Sequence, residues 1–144
     1  MIGDTGPSGG YVFYLNDGSG LEAALTDAGT APWGCYGITT LRTGTAIGTG
    51  QSNTDAIIAN CKGTAAAKLA ANYTWPNGQK GGFLPSLEEL NELHKYKDVV
   101  GSFAIDSYWS SSEDYRNSVW IPILNIQHNP SKYNSRLVRA VRAF

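Results

Sequence analysis

Tyr108-Trp-Ser-Ser-Ser-Glu113, Ser118-Val-Trp-Ile-Pro-Ile-Leu-Asn125 and Ser135-Arg-Leu-Val-Arg-Ala-Val-Arg-Ala-Phe144 punctuate the last part of the chain, and their reading decides the fold. The aromatic and β-branched residues in the first and last of these are suited to strands. Between Val119 and Leu124, alternation puts Trp120, Pro122 and Leu124 on one face, and Ile121 and Ile123 on the other. Trp120 is the bulkiest anchor, so its face is assigned inward and Ile121 and Ile123 outward. A strand buried on both faces would account for the same apolar run without any functional role. Pro122 donates no ladder hydrogen bond, which argues for an edge strand or a bulge.

Asn125 to Ser135 has no helical or strand period and is rich in turn formers, so it is expected to be a surface loop. It offers amides, an imidazole, an ammonium and a phenol together, a mixture favoured where a loop must make contacts. A plain connecting loop has the same composition. After Asp114 the chain carries no carboxylate, while Arg116, Lys132, Arg136, Arg139 and Arg142 are basic. That imbalance predicts a locally positive face, suited to an anionic or polar partner.

The rest of the chain reads as framework. With 144 residues and a formal charge of −1, one domain with a single core is expected. The near-neutral balance argues against a nucleic-acid partner. No apolar run is long enough for membrane insertion, and no secretory leader is legible. Residues 1–10 contain the Gly-X-Y triplets Gly3-Asp-Thr and Gly6-Pro-Ser, too few for a triple helix. They read as a flexible lead-in, and they also fit the end of a collagen-like stalk in a longer parent chain. The binding domain is then residues 11–144, with the candidate ligand-binding segment at 107–144.

Tyr11 to Leu15 is a strand by composition, Asn16 to Gly20 a turn, and Leu21 to Leu25 the partner strand. Thr26 to Gly50 is expected to be irregular and pinned by Trp33. A first helix starts at Asn53-Thr-Asp55. Its narrow apolar stripe is Ile57, Cys61, Ala65 and Leu69, and Gly63 is placed to divide it into two short helices. A second helix is marked by the capping-box pair Ser86 and Glu89, and should end near Val100-Gly101. Glu88, Glu89 and Glu92 read as its solvated face.

No catalytic constellation is visible. Ser110, Ser111 and Ser112 lack a nucleophile elbow, and His94 and His128 have no context that makes either a base. Serines at strand ends more often satisfy backbone groups. The glycines of Gly44 to Gly50 lack the Lys-Ser/Thr of a phosphate loop. Glu113, Asp114 and Asn117 match no defined calcium loop. Cys35 and Cys61 lack zinc-ligand spacing; the two are read either as a disulfide or as buried thiols. No metal and no cofactor are therefore expected, and the chain reads as a binding domain rather than an enzyme.

Several motifs together resemble a family of C-type-lectin-like domains: Gly6-Pro-x-Gly-Gly-Tyr-Val-Phe-Tyr14, Trp33-Gly-Cys-x-Gly37, Phe83-Leu-Pro-Ser-x-x-Glu-Leu90, Tyr108-Trp-Ser-Ser-Ser-Glu113, Val119-Trp120 and Val138-Arg-Ala-Val-Arg-Ala-Phe144. The family is that of the C-terminal domain of bacterial collagen-like adhesins and of variable proteins of diversity-generating retroelements. The resemblance implies a compact α+β C-type-lectin-like fold. Two helices would flank a small twisted antiparallel sheet, with paired terminal strands and long loops on one face. The same broad fold includes formylglycine-generating enzymes, which need a close cysteine pair near the C terminus. Here the segment after Cys61 has no cysteine, so that oxidase activity is not expected. Calcium-dependent sugar binding is not expected either, because the Glu-Pro-Asn and Trp-Asn-Asp patterns are missing.

In the retroelement members, adenine-directed mutagenesis diversifies codons of a C-terminal segment that displays a ligand-binding surface. Ile, His, Tyr and Ser lie one base from an Asn codon, and Ile121, Ile123, Ile126, His128 and Tyr133 are scattered among Asn125, Asn129 and Asn134. The contact residues expected on this basis are Tyr115, Arg116, Asn117, Ile121, Ile123, Ile126, His128, Tyr133 and Arg136. The exposed apolar side chains point to a protein target on a host or cell surface. The domain itself would sit extracellularly, on a cell surface or on a virion. Two alternatives remain open at this point. One is a fixed adhesin domain binding anionic or sulfated polysaccharide through Arg116, Lys132 and Arg136. The other is a trimerising cap of a fibre.

Overall fold

The computed structural model describes residues 1–33, 43–61, 65–96, 108–115, 118–119, 121–123, 126–128 and 135–144. Tyr11–Asn16 (β1) and Ser19–Ala23 (β2) form an antiparallel hairpin with Asn16 opposite Ser19. The two residues between them, Asp17 and Gly18, have φ of 49° and 88°. Two successive positive φ angles give the hairpin turn whose twist matches the strands, and Asp-Gly is the pair that tolerates them.

β2 then takes Val141–Ala143 (β9) on its other edge, with Leu21 opposite Ala143 and Ala23 opposite Val141. The sheet order is therefore β1-β2-β9. The terminal strands share a sheet, but they are not paired to each other as expected. The tight turn folds β2 directly onto β1, so the edge left for the C-terminal strand belongs to β2. Residues 1–10, expected as a flexible lead-in, are bonded to this hairpin. Gly3 N donates to Val12 O and Val12 N to Asp4 O, at 2.7 and 2.9 Å. The buried Glu22 carboxylate accepts from Ser8 N and Gly10 N.

A second antiparallel pair joins Gly29–Pro32 (β3) to Ser135–Val138 (β8), with Gly29 opposite Val138 and Pro32 opposite Ser135. β3 falls in the stretch expected to be irregular. Its Gly-Thr-Ala-Pro sequence has little intrinsic strand preference, and pairing with β8, whose Val138 is buried, decides its conformation. Two further pairs are Glu113–Tyr115 (β4) with Ser118–Val119 (β5), and Ile121–Ile123 (β6) with Ile126–His128 (β7). β7 replaces part of the loop expected after Asn125.

Gly50–Asn60 (α1) starts three residues before the expected Asn53. Asn53 N bonds Thr49 O as an ordinary first-turn donor, while the Asn53 side chain is engaged elsewhere in the fold. Ala65–Ala71 (α2) follows as a separate helix, as the Gly63 break predicts. Ile57 is fully buried and Cys61 nearly so, while Ala66, Ala67 and Ala70 let α2 approach closely. Leu87–Lys95 (α3) carries both halves of the capping box between Ser86 and Glu89. It ends at Lys95, short of Val100, and residues 97–107 lie outside the described residues. Among the described residues, three helices and small antiparallel sheets thus make an α+β fold, with α1 and α2 where one broken helix is expected.

The core is organised by tryptophans. Trp33, Trp75 and Trp109 are each at most 1% exposed, and each indole N–H has a backbone acceptor. Trp33 Nε1 donates to Ser110 O at 2.8 Å, and Trp109 Nε1 donates to Ala31 O at 2.7 Å. The two indoles thereby clasp the chain around β3 to the chain just before β4, joining segments far apart in sequence. Cys61, at the end of α1, is disulfide-bonded. The only other cysteine in the sequence is Cys35, which lies outside the described residues. Among the described residues no helix is long and apolar enough to cross a membrane.

Candidate binding surface

The C-terminal segment is anchored at both ends by buried chain. Tyr108, Trp109, Ser110, Ser111 and Ser112 are all buried on one side of it, and Val138 to Val141 on the other. The three serines are wired into the backbone. Ser112 Oγ donates to Gly44 O at 2.7 Å and accepts from Leu87 N at 3.0 Å. Ser111 N donates to Pro85 O at 2.7 Å, and Ser111 Oγ accepts from Asn53 Nδ2 at 3.1 Å. Asn53 also makes a reciprocal pair with the Gly44 peptide, 2.8 Å each way. A polar seam therefore ties α1, the start of α3 and the loop before α1 to the start of the segment. Buried polar groups need such partners, and here the serines supply them.

The other anchor is Arg139. Its sequence position puts it with the basic residues of the expected positive face, but it is 1% exposed and its charge is matched. Nε and Nη2 approach Asp27 Oδ1 at 2.9 and 2.8 Å, Nη1 donates to Ala24 O at 2.9 Å, and Nη2 donates to Tyr108 OH at 3.2 Å. Tyr108 OH in turn donates to the same Asp27 oxygen at 2.6 Å. Asp27, unnoticed in the sequence, is thus the counter-ion that allows a guanidinium inside the protein. Its one visible signal is being the nearest carboxylate to β3 in the sequence, which only the β3–β8 register makes meaningful.

Glu89 also departs from expectation. It is buried rather than part of a solvated face. Its carboxylate accepts from Ser86 N at 2.7 Å and Gly48 N at 2.8 Å. Burial pushes its pKa above the ordinary 4.5, against the opposing pull of the Ser86, Gly48 and Gly50 backbone donors. Gly50 leaves room for it; a Cβ there would meet the Glu89 carboxylate and the Phe83 ring.

Of the expected contact residues, Arg116, Asn117 and Tyr133 lie outside the described residues. Tyr115, Ile121, Ile123, Ile126 and His128 are described by their backbone, in β4, β6 and β7. In the β6–β7 ladder Ile121 stands opposite His128, Pro122 opposite Gln127, and Ile123 opposite Ile126. Directly opposed residues share a face and successive residues alternate. This register therefore brings the positions Ile121, Ile123, Ile126 and His128 to one face, with Pro122 and Gln127 on the other. Among the described residues β6 and β7 pair only with each other, so both are edges there, which is the setting Pro122 requires. β6 lies alongside α3.

Arg136 stands apart from these. It pairs with Ala31 in the β3–β8 ladder and is half-buried, with its guanidinium carbon 5.9 Å from the centroid of the Trp109 ring. Its Nε is buried without a hydrogen-bond partner among the described residues. Arg136 is therefore fixed to the framework at the border of the surface. Among the described residues, no three His, Cys, Asp or Glu side chains gather in a way that would hold a metal ion. The chain matches no family model and no curated protein.

Proposed function

We propose that the chain is a ligand-binding domain of C-type-lectin-like type, in which the segment from β4 to the start of β8 is displayed by a framework that does not depend on its side chains. The observation that carries this is the β6–β7 register, which collects Ile121, Ile123, Ile126 and His128 on one face. A ladder is held by backbone hydrogen bonds, which are indifferent to side-chain identity, so such a face accepts many residues without loss of the hairpin. The chain on either side is buried, and its serine, tryptophan and arginine side chains are bonded to framework backbone at Gly44, Ala31 and Ala24. That division of labour is what a diversified surface of a retroelement variable protein requires. Three isoleucines beside a histidine favour a protein target, because apolar area adds affinity where a partner can cover it.

Two measurements test this. Sequencing the genomic locus should find a near-repeat of the C-terminal coding segment and a reverse transcriptase gene; a locus with neither removes the diversification claim. Binding to a target protein should survive a rise in salt from low to near-molar concentration, because apolar contacts are not screened. Affinity that instead collapses with salt, for sulfated polysaccharide, would support the adhesin reading. The half-buried Arg136 beside Trp109 is the observation on that side.

A further inference from the structure

A groove of about 550 Å³ opens along β3 and α2, and among the described residues its lining comes from Asp27 to Ala31 and Lys68 to Thr74. Its less exposed lining is apolar, from Ala28, Ala31 and Leu69. Its exposed lining is polar, from Thr30, Lys68, Asn72 and Thr74, with Asp27 and Tyr73 completing it.

Two of these groups are held rigidly from behind. Asp27 Oδ1 receives Arg139 Nε, Arg139 Nη2 and the Tyr108 hydroxyl, whereas Oδ2 takes no hydrogen bond from the described residues. The Asp27 side chain is 30% exposed, so its carboxylate still reaches solvent. Three donors on one oxygen stop the carboxylate from turning, which leaves the other as an acceptor fixed in advance. The Tyr73 ring meets the buried Trp75 edge to face, with centroids 5.2 Å apart at 81°, and its hydroxyl lies 3.3 Å from Thr26 Oγ1.

The chemistry of the lining selects a ligand class. A metal ion would want several oxygen ligands, and among the described residues one carboxylate lines the groove. A purely apolar ligand would cover Asp27 Oδ2 without a donor, at a desolvation cost. A ligand bearing hydroxyls on a ring with apolar C–H faces matches both the polar and the apolar lining. Its hydroxyls donate to Asp27 and exchange bonds with Asn72, Thr30 and Thr74, while its C–H faces cover Ala31 and Leu69. We propose that this groove is a binding site for a neutral saccharide unit, separate from the C-terminal surface.

The test is an NMR titration of the ¹⁵N-labelled protein with glucose, galactose, mannose and N-acetylglucosamine, with glucuronate as the anionic comparison. At least one neutral sugar should give saturable shifts at the Thr30, Lys68, Asn72 and Thr74 amides. Asn72→Ala should weaken that binding roughly tenfold, the effect of losing about one hydrogen-bonded group. Asn72 is exposed, so this change leaves the core intact, whereas Asp27→Asn would disturb Arg139 as well. Gln51→Ala, on the exposed side of α1, should change nothing. The proposal is overturned if no neutral sugar gives saturable shifts, if only glucuronate does, or if Asn72→Ala binds as tightly as the parent.

Discussion

Arg139 and Glu89 are buried ionisable side chains, and each makes the fold answerable to a measurement. Arg139 is held by Asp27, Ala24 O and Tyr108, so removing its guanidinium leaves the Asp27 carboxylate without its counter-ion, with only the Tyr108 hydroxyl on Oδ1, and takes a donor from Ala24 O. Arg139→Met should cost about 2–3 kcal/mol in a denaturant titration, somewhat below a fully buried pair because Asp27 keeps contact with water. Adding Asp27→Asn should recover part of that loss, since the unpaired carboxylate is then gone. Glu89 works in the opposite sense to a surface carboxylate. Its folded pKa is raised, so the folded state binds the proton more tightly than the unfolded chain. Its contribution is therefore full below about 4.5 and is lost as pH rises through the folded value. Thermal melts of the parent and Glu89→Gln across mildly acidic pH should show their difference shrinking or reversing as pH rises. A parallel pair of curves would contradict the burial argument.

At the scale of elements, legibility followed how local the determining interactions are. The α3 start could be read from Ser86 and Glu89 because a capping box is completed within one turn. The β1–β2 hairpin was readable because Asp17-Gly18 enforces it locally. β3 was not, since Gly29–Pro32 becomes a strand only by pairing with Ser135–Val138, more than a hundred residues on. The α1 start was misplaced for a related reason: Asn53 looks like a cap, but its side chain serves Gly44 and Ser111 instead. The disulfide at Cys61 secures the end of α1 near the break before α2. Reduction should lower stability by roughly 3 kcal/mol, on the loop-closure argument for a bridge to Cys35. Thiol titration of the unreduced, denatured chain should find no free cysteine; two reactive thiols would remove this element of the account.

For the whole molecule, the surface was less legible than the framework. The positions of Ile121, Ile123, Ile126 and His128 follow from ladder alternation once the pairing is known, yet Asn125 to Ser135 gave no sign of β7. The expected positive face was overestimated, because sequence counts charge without showing that Arg139 is neutralised inside. Arg136 also belongs partly to the framework through Trp109. What remains is a framework of buried clasps, made by Trp33, Trp109, Arg139 and the three serines, on either side of the segment proposed to be displayed. Replacing Tyr115, Arg116, Ile121, Ile123, Ile126, His128 and Tyr133 together by alanine tests that proposal most directly, read by circular dichroism and thermal melting. A cooperative transition within about 10 °C of the parent is the predicted result, and a chain that no longer folds would place those residues in the core and contradict it.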